Sequence, residues 1–591
     1  MSLLHRVLVF SLGVSLLPTS IMASLSKSLA PITHPTIVPR GGSTKSTKAR
    51  TDVDFAARLV PKIIEYLRGS ASVSEPVVKL ADPNEIAEAF LRDAGIEISL
   101  LERQPPEDKA SLLRAADVVC DYSVRTGSPG FNNQLYGAAD AVGIAGDWLS
   151  SALNTNVHTY EAAPMFTLLE QAVVHKLAVA LGDGFLGDGN PTGFELGSQG
   201  LLLAGGSMAN LYGMQLARHW KVPETKERGN SAAEYPLLAF TSAESHYSYL
   251  KGANLMGLGT ASLVKVPCDP RTGAMDAVAL DALLTVEAAK ADGDPTKRLP
   301  FFVGATAGTT VLGAFDPFDE IATVCAKHDV WLHVDGAWGG GALFSEKLRP
   351  LVAGVEKADS FCWNPHKILG APLQTTLFAV NSLRHRDILR SANSANAGYL
   401  FQPDKNFGEL DIGDTTLQCG RRADALKLWM MWKLLGDEGV EKRIDHCVHL
   451  IDYMNKQAVG ALDEKGRRCF RVVKHAFANL CFYVIPPSMR DTIAALEVPG
   501  DAEDDGLVLS RLPVEQRGEL GQVAPVLKDR MQRQGKALIG FQPVNQQFED
   551  QQPVTFKNCW RMVVAGSREE TMHNEEIDQI LQDMLDLSSD L

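Results

Sequence analysis

Between Asp54 and about Leu101 the apolar residues recur at helical spacing, with Phe55, Leu59, Ile63, Ile64 and Leu67 on one face. The middle of the chain alternates short β-rich runs with helical patterns. Leu201–Ala204, Leu238–Thr241, Phe301–Ala305, Val330–Val334 and Ser360–Trp363 read as strands. A helix is predicted over Asp319–His328, behind the Asp316-Pro317 pair. Strand–helix alternation predicts an α/β domain with a mostly parallel sheet, whose ligands sit at the carboxyl ends of the strands. The C-terminal part mixes long helices (Ala423–Leu435, Gln522–Gln534) with short strands (Cys481–Ile485, Cys559–Val564), which predicts a smaller α+β domain. The polar stretch Asp501–Asp505 reads as an exposed insertion within it. These breaks divide the chain into a leading segment 1–51, a helical segment 52–140, a large domain 141–435 and a small domain 436–591.

Composition narrows the class. With 591 residues, 45% hydrophobic and 22% charged, the chain is too large and too apolar for a disordered protein or a small disulfide scaffold. A formal charge of −14 disfavours non-specific binding to nucleic acid or to anionic membranes. Any anionic ligand must then be held by a local cationic site. The nine cysteines are odd in number and contain no C-x-x-C spacing, so reduced, mostly buried thiols are expected and no metal site is. Residues 1–51 carry six basic and no acidic residues. A short apolar run, Val7 to Leu17, behind His5 and Arg6 resembles a signal-peptide core, and the Ser/Thr/Lys/Pro-rich stretch Ser24–Thr51 has transit-peptide composition. Together they suggest import into an organelle such as a plastid; the plain alternative is a disordered tail on a cytoplasmic enzyme.

Four strand ends carry unusual residues. After Leu201–Ala204 come Gly205, Gly206 and Ser207, then a helical pattern. Two glycines there let backbone approach a ligand, and a helix N-terminus offers free N–H groups to an anion. The run Trp331-Leu-His-Val-Asp335-Gly-Ala337 ends an apolar strand on a carboxylate, which is costly without a partner. A helix cap or a protonated ring nitrogen would serve. Asn364-Pro365-His366-Lys367 follows Ser360–Trp363. A lysine just past a strand end is ordinarily a surface residue; desolvated, its amine pKa falls and it can form a Schiff base. His246 follows Leu238–Thr241, where a lone histidine is more often packed than functional. Together these features supply a phosphate cradle, an acid for a pyridine nitrogen, an aromatic plate and an amine. Pyridoxal 5'-phosphate requires that set.

With these motifs the chain resembles the group II pyridoxal-phosphate amino-acid decarboxylases, on the branch of glutamate decarboxylase and cysteine sulfinate decarboxylase. The segments that carry the resemblance include Asn133-Gln134-Leu135-Tyr136, Thr159-Tyr-Glu161, Ala305-Thr306-Ala-Gly308-Thr-Thr310, Asn364–Lys367, Tyr399-Leu-Phe-Gln-Pro-Asp404-Lys405, Gln418-Cys-Gly-Arg-Arg422 and Trp560-Arg561-Met562. The resemblance implies a fold-type I, aspartate-aminotransferase-like homodimer with the active site at the subunit interface. It implies that Lys367 carries the cofactor aldehyde, Asp335 pairs with the pyridine nitrogen and His246 stacks on the ring. Ser207, Asn364 and His366 would help hold the phosphate, and Thr306 and Ala337 would contact the cofactor. Gln134 and Arg561 would meet the acid of the substrate side chain; the guanidinium fork suits a carboxylate or sulfinate.

The expected reaction is decarboxylation of a small acidic L-amino acid. Cysteine sulfinate, with aspartate as a relative, comes first because Thr309–Phe315 and Arg421–Asp424 look closest to that subgroup; glutamate is the alternative. Four positions depart from the family pattern. Asn132 and His158 replace aromatic residues near the expected substrate pocket, and Ala209 replaces a serine of the phosphate cradle. Phe407 stands in the mobile loop where a tyrosine is usual, and phenylalanine cannot donate a proton. Within the wider family that exchange is associated with oxidative deamination to an aldehyde, a further alternative. A non-catalytic binding protein of the same fold would be the remaining one, and the intact Lys367 and Asp335 argue against it.

Overall fold

Twelve strands form among the described residues: β1 (Phe131–Asn132), β2 (Gln199–Leu203), β3 (Leu237–Ser242), β4 (Leu263–Val266), β5 (Leu299–Thr306), β6 (Trp331–Gly336), β7 (Ser360–Trp363), β8 (Thr376–Val380), β9 (Phe470–Ala476), β10 (Asn479–Val484), β11 (Leu538–Gln546) and β12 (Val554–Val563). The structure is a computed structural model and describes residues 51–100, 106–187, 197–402, 404–498, 504–546, 548 and 554–591. The targeting signals expected in the leading segment, Pro403 and the stretch 501–503 lie outside the described residues.

Seven strands make the large sheet in the order β2-β8-β7-β6-β5-β3-β4. Its four pairings from β4 to β7 are parallel, and β8 runs antiparallel to both β7 and β2. The predicted mostly parallel sheet is therefore present, with a return at one side. A parallel return needs a long crossover, usually a helix. The connection from Asn364 to Thr375 contains no helix, so the chain comes back antiparallel and leaves Lys367 in a short turn at the sheet edge. β3, β6, β7 and β8 are buried at every position, which explains their mostly apolar sequences. The helices Gly206–Lys221 and Phe318–His328 are among those packed on this sheet.

The second sheet has the order β1-β11-β12-β10-β9. Its strands are antiparallel apart from β1, a two-residue strand from far upstream that joins β11 in parallel. Helix Val514–Arg533 packs on β12 and β11, giving the α+β character that the sequence predicts. Helix Ala425–Gly460 bends at Gly436, where φ is 65°, one residue past the predicted end at Leu435. All nine cysteines are free and six are buried. Of the stretch expected to be exposed, Asp504 is exposed and Asp505 is not. Asp505 is buried, and accepts from Arg468 Nη2 at 2.8 Å, Arg471 Nη1 at 2.9 Å and the Val472 N–H at 2.8 Å.

One buried ion pair ties distant segments beneath the large sheet. Arg421 pairs with Glu170, both almost without solvent contact. Glu170 Oε1 also accepts the Leu202 N–H at 2.9 Å, and Arg421 donates to the carbonyls of Val157 at 2.8 Å and Leu202 at 3.2 Å. Removing one partner of such a pair leaves a buried charge uncompensated. Glu170→Ala is expected to lower unfolding free energy by about 3–5 kcal/mol, as read by chemical denaturation.

Candidate active site

The carboxyl ends of β2, β5, β6 and β7 meet at one edge of the large sheet. β2 is antiparallel to β8, which is antiparallel to β7, so β2 points the same way as β7. After β2 the chain turns through Gly205, with φ 97°, into helix Gly206–Lys221. A Cβ at Gly206 would lie 3.0 Å from Asn364 Nδ2 and 3.2 Å from the Ala337 Cβ. Glycine there lets the helix N-terminus close on the ends of β6 and β7. Ser207 is exposed in the first helical turn.

Asp335 is buried at the end of β6. Its Oδ2 accepts from Asn210 Nδ2 at 2.7 Å and its Oδ1 from the Ala337 N–H at 3.0 Å. Asn210 in turn donates to Ser248 Oγ at 2.9 Å, and its Oδ1 lies 3.0 Å from His333 Nε2. An amide oxygen only accepts, so His333 carries its proton on Nε2. His333 Nδ1 then accepts from Ser360 Oγ at 2.9 Å, and Ser360 accepts from Trp331 Nε1 at 2.9 Å. Burial pushes the His333 pKa down to about 4, so this ring is a neutral link. A Cβ at Gly213 would lie 2.8 Å from the His333 ring, which explains the glycine in that helix. A continuous hydrogen-bonded chain thus runs from Trp331 to Asp335 and fixes the carboxylate without supplying a cation.

Lys367 sits past β7. Burial lowers its amine pKa below the ordinary lysine range; the nearby Asp335 charge opposes that shift and Arg561 adds to it. The amine forms no hydrogen bond or ion pair among the described residues. His246 is half-buried, and burial also lowers its pKa, with opposing influence from Asp335. Its Nδ1 accepts the Ser248 N–H at 3.3 Å, which places the proton of the neutral ring on Nε2. His366 is buried, its pKa lowered to about 4 mainly by burial. Its Nδ1 lies 2.6 Å from the Thr375 carbonyl and its Nε2 3.5 Å from Asn364 Nδ2. The Thr375 N–H also lies 3.0 Å from Nδ1, so both backbone groups of Thr375 hold this ring beside the Asn364 amide.

Two buried polar atoms at this edge have no partner, Thr306 Oγ1 and Asn364 Oδ1. Buried polar atoms are ordinarily satisfied. With the partnerless Lys367 amine, the Asp335 carboxylate and the open helix N-terminus, they form a set of donors and acceptors that fits pyridoxal 5'-phosphate.

Arg561 comes from β12 of the second sheet. It is buried, and donates to the carbonyl oxygens of Asn133 and of Thr310, the latter at 3.2 Å. Its Nε has no partner, and no carboxylate pairs with it among the described residues. Burial lowers its pKa, as expected of an unneutralised charge. Gln134 is exposed and forms no hydrogen bond to Arg561; its neighbour Asn133 does. Asn132 is buried and donates to the Pro129 carbonyl at 2.6 Å, so its amide serves the turn before β1. Ala209 is fully buried against the large sheet, where a serine hydroxyl would need a partner. His158 lies beneath residues 412–415, its carbonyl accepting the Gly413 N–H at 2.7 Å. Phe407 is largely exposed, with its ring 5.3 Å from that of Tyr160.

Sequence reading passed over Asn210, His333 and Ser360. The available signal was period-two spacing: His333 and Asp335 point to the same face of β6, so two polar groups share one buried face.

The fold and this edge define a fold-type I pyridoxal-phosphate enzyme. Residues 97–485 match the pyridoxal-dependent decarboxylase conserved domain. The chain is 38% identical to cysteine sulfinic acid decarboxylase of Homo sapiens over 529 residues, covering 89% of this chain and 94% of that protein. The crystal structure of mouse CSAD superposes with a TM-score of 0.77 at 35% identity, covering 92% of this chain and 100% of that one. The structure of Oryza sativa TDC with PLP and tryptamine shares the fold, with a TM-score of 0.71 at 22% identity over 92% of this chain and 99% of that one. The chain belongs to the pyridoxal-dependent decarboxylase family, and is a carboxy-lyase that uses pyridoxal 5'-phosphate.

The relay behind Asp335 makes a quantitative expectation. His333→Leu removes the donor to Asn210 Oδ1 and frees the amide that holds Asp335 Oδ2. One such hydrogen bond is worth about 1.4 kcal/mol, so cofactor affinity should fall roughly 10-fold in a titration of apoenzyme, with the circular dichroism of the fold unchanged.

Proposed function

We propose that this protein removes the α-carboxylate of a small acidic L-amino acid as carbon dioxide, with cysteine sulfinate as first substrate and aspartate as its relative. The observation that carries this reading is Arg561, a buried guanidinium without a carboxylate partner, close enough to Lys367 to depress its pKa. Relatives with 38% identity over most of the chain bear the name cysteine sulfinic acid decarboxylase, which supports the choice of sulfinate. Glutamate, one methylene longer than aspartate, is the runner-up; such a difference is worth about 1–3 kcal/mol in a pocket.

When bound, pyridoxal phosphate supplies an electrophilic aldehyde and a ring that accepts electrons from the substrate Cα. The residue roles follow from the geometry. Lys367 would carry the aldehyde; its desolvated amine is more often neutral, and so more nucleophilic, than an ordinary lysine. Asp335, held by Asn210 and the Ala337 N–H, would keep the pyridine nitrogen protonated. Ser207 and the helix N-terminus, Asn364 and His366 would hold the phosphate, and Thr306 and Ala337 would line the ring. His246 would stack on the ring and, with its proton on Nε2, donate to Cα. Arg561, aided by Gln134, would fix the distal acid so that the α-carboxylate alone is free to leave. The active species would be a homodimer with the site at its interface.

One observation favours a second reading. Phe407 presents no proton from the loop, and an undelivered proton leaves Cα open to oxidation and aldehyde formation. Full-length protein loaded with pyridoxal phosphate should be given cysteine sulfinate, aspartate and glutamate in parallel, with mass identification of products and oxygen uptake. Amine product, fastest from cysteine sulfinate, is expected. Aldehyde with peroxide would replace the lyase reading by the oxidative one. Arg561→Met should lower kcat/KM for the acidic substrates by about 2–4 kcal/mol, roughly 30- to 1000-fold, because a desolvated charge pair is lost.

A further inference from the structure

Arg561 is not the only cation at its subsite. Lys528, on helix Val514–Arg533, donates from Nζ to Asn133 Oδ1 at 3.0 Å. The backbone oxygen of the same Asn133 accepts from Arg561 Nη2. The two cations therefore grip one residue from two sides. The Lys528 Nζ also lies 5.4 Å from the centre of the Phe541 ring, on β11. β11 and β12 are in register at Gly540 and Arg561. A Cβ at Gly540 would stand 3.1 Å from the Asn133 backbone oxygen, 3.4 Å from its Oδ1 and 3.6 Å from Arg561 Nη2, so glycine there lets Asn133 and both cations come together against β11.

Neither cation has an acidic partner among the described residues. The adjacent Asp529 pairs with Arg533 at 2.8 Å. Burial lowers the Lys528 pKa and the Arg561 charge lowers it further. Two like charges, partly desolvated and sharing only neutral acceptors, are unfavourable unless an anion joins them. In a protein of charge −14 such a concentration of positive charge is local and specific.

We propose that Lys528 is a second cation of the distal-acid subsite, a specificity-determining residue that binds acidic side chains together with Arg561. This rests on the reading that Arg561 holds the side-chain acid of the substrate. Lys528 adds charge on the helix side of the subsite, and Asn133 fixes the spacing of the two cations. The substrate class is an amino acid whose side chain ends in a monoanionic carboxylate or sulfinate.

The test compares Lys528→Gln, which can still donate to Asn133 without charge, with Lys528→Arg, which keeps the charge. Holoenzyme is assayed with cysteine sulfinate and aspartate across ionic strength. Lys528→Gln is expected to raise KM about 5- to 10-fold with kcat within about twofold, and to flatten the salt dependence of kcat/KM. Lys528→Arg should restore most of both. An unchanged KM in Lys528→Gln, or equal losses in Gln and Arg variants, would overturn the proposal and leave Lys528 a structural support of Asn133. A measurement on wild-type holoenzyme needs no variant: methanesulfinate should protect Lys528, but not surface lysines, from an amine-acylating reagent, read by peptide mass. Absence of protection counts against the proposal even where a variant fails to fold. Should wild-type enzyme turn over no acidic amino acid while Arg561→Met leaves its activity on other amino acids intact, the functional reading itself falls, and this one with it.

Discussion

The structure depends on keeping a carboxylate charged in the middle of a protein. Asp335 ends a strand with no solvent on either face, where an isolated charge is strongly disfavoured. Two neutral donors, the Asn210 amide and the Ala337 N–H, stabilise it without neutralising it. Asn210 holds its orientation because its oxygen is occupied by His333, and His333 because Ser360 and Trp331 lie behind it. A lysine pointed at Asp335 would complete an ion pair and end the need for a ligand. Lys367 is close enough to feel that charge, yet forms no bond with it. The edge therefore keeps an unmatched anion and an unbonded amine, the two groups that a pyridinium and an aldehyde satisfy.

The second sheet brings the opposite charge. Arg561 reaches the site from β12, and its donors go to carbonyls of Asn133 and Thr310, one from each side of the cleft. The same cleft is braced by Asn479 at the start of β10, which accepts from Trp338 Nε1 at 2.7 Å and donates to the carbonyls of Thr310 and Val311 at 3.3 and 3.1 Å. Asp335 and Lys367 thus come from the large sheet and Arg561 from the small one. The Thr309–Gly313 turn, coupled to both, sets their separation.

What the sequence discloses and what it hides follow from the range of the contacts. The strands β3, β5, β6 and β7 are mostly apolar, Asp335 stands near the end of β6 and Lys367 just past β7, so pattern alone locates them. The antiparallel β8 was not legible, because its direction is set by the short turn before it. Asn210 meets Asp335 across 125 positions and Lys528 meets Asn133 across 395, and no local spacing encodes either contact. At Asn132 the Nδ2 is used on Pro129, three residues away, while its buried Oδ1 has no partner. Asp505 looked like part of an acidic surface loop, because the two arginines that bury it lie on the approach to β9 and within it.

The loop that carries Phe407 bears on where the Cα proton originates. Asp411 is buried, accepts the Tyr160 N–H at 2.8 Å and pairs with Lys405, while the Phe407 ring lies against Tyr160. The Lys405–Asp411 pair closes within the loop, and the Tyr160 N–H bond to Asp411 and the Phe407–Tyr160 ring contact tie it to the 158–160 segment of its own chain. A proton delivered by a loop residue depends on that loop being closed at the moment of transfer. A proton on His246 Nε2 does not, because Ser248 fixes that ring through Nδ1, and Ser248 is itself bonded to Asn210 of the Asp335 relay. In the proposed reading, a phenylalanine in place of a loop tyrosine puts protonation on His246 at the sheet edge. In that reading, amine release would depend on the Ser248 and Asn210 bonds that hold His246 in place.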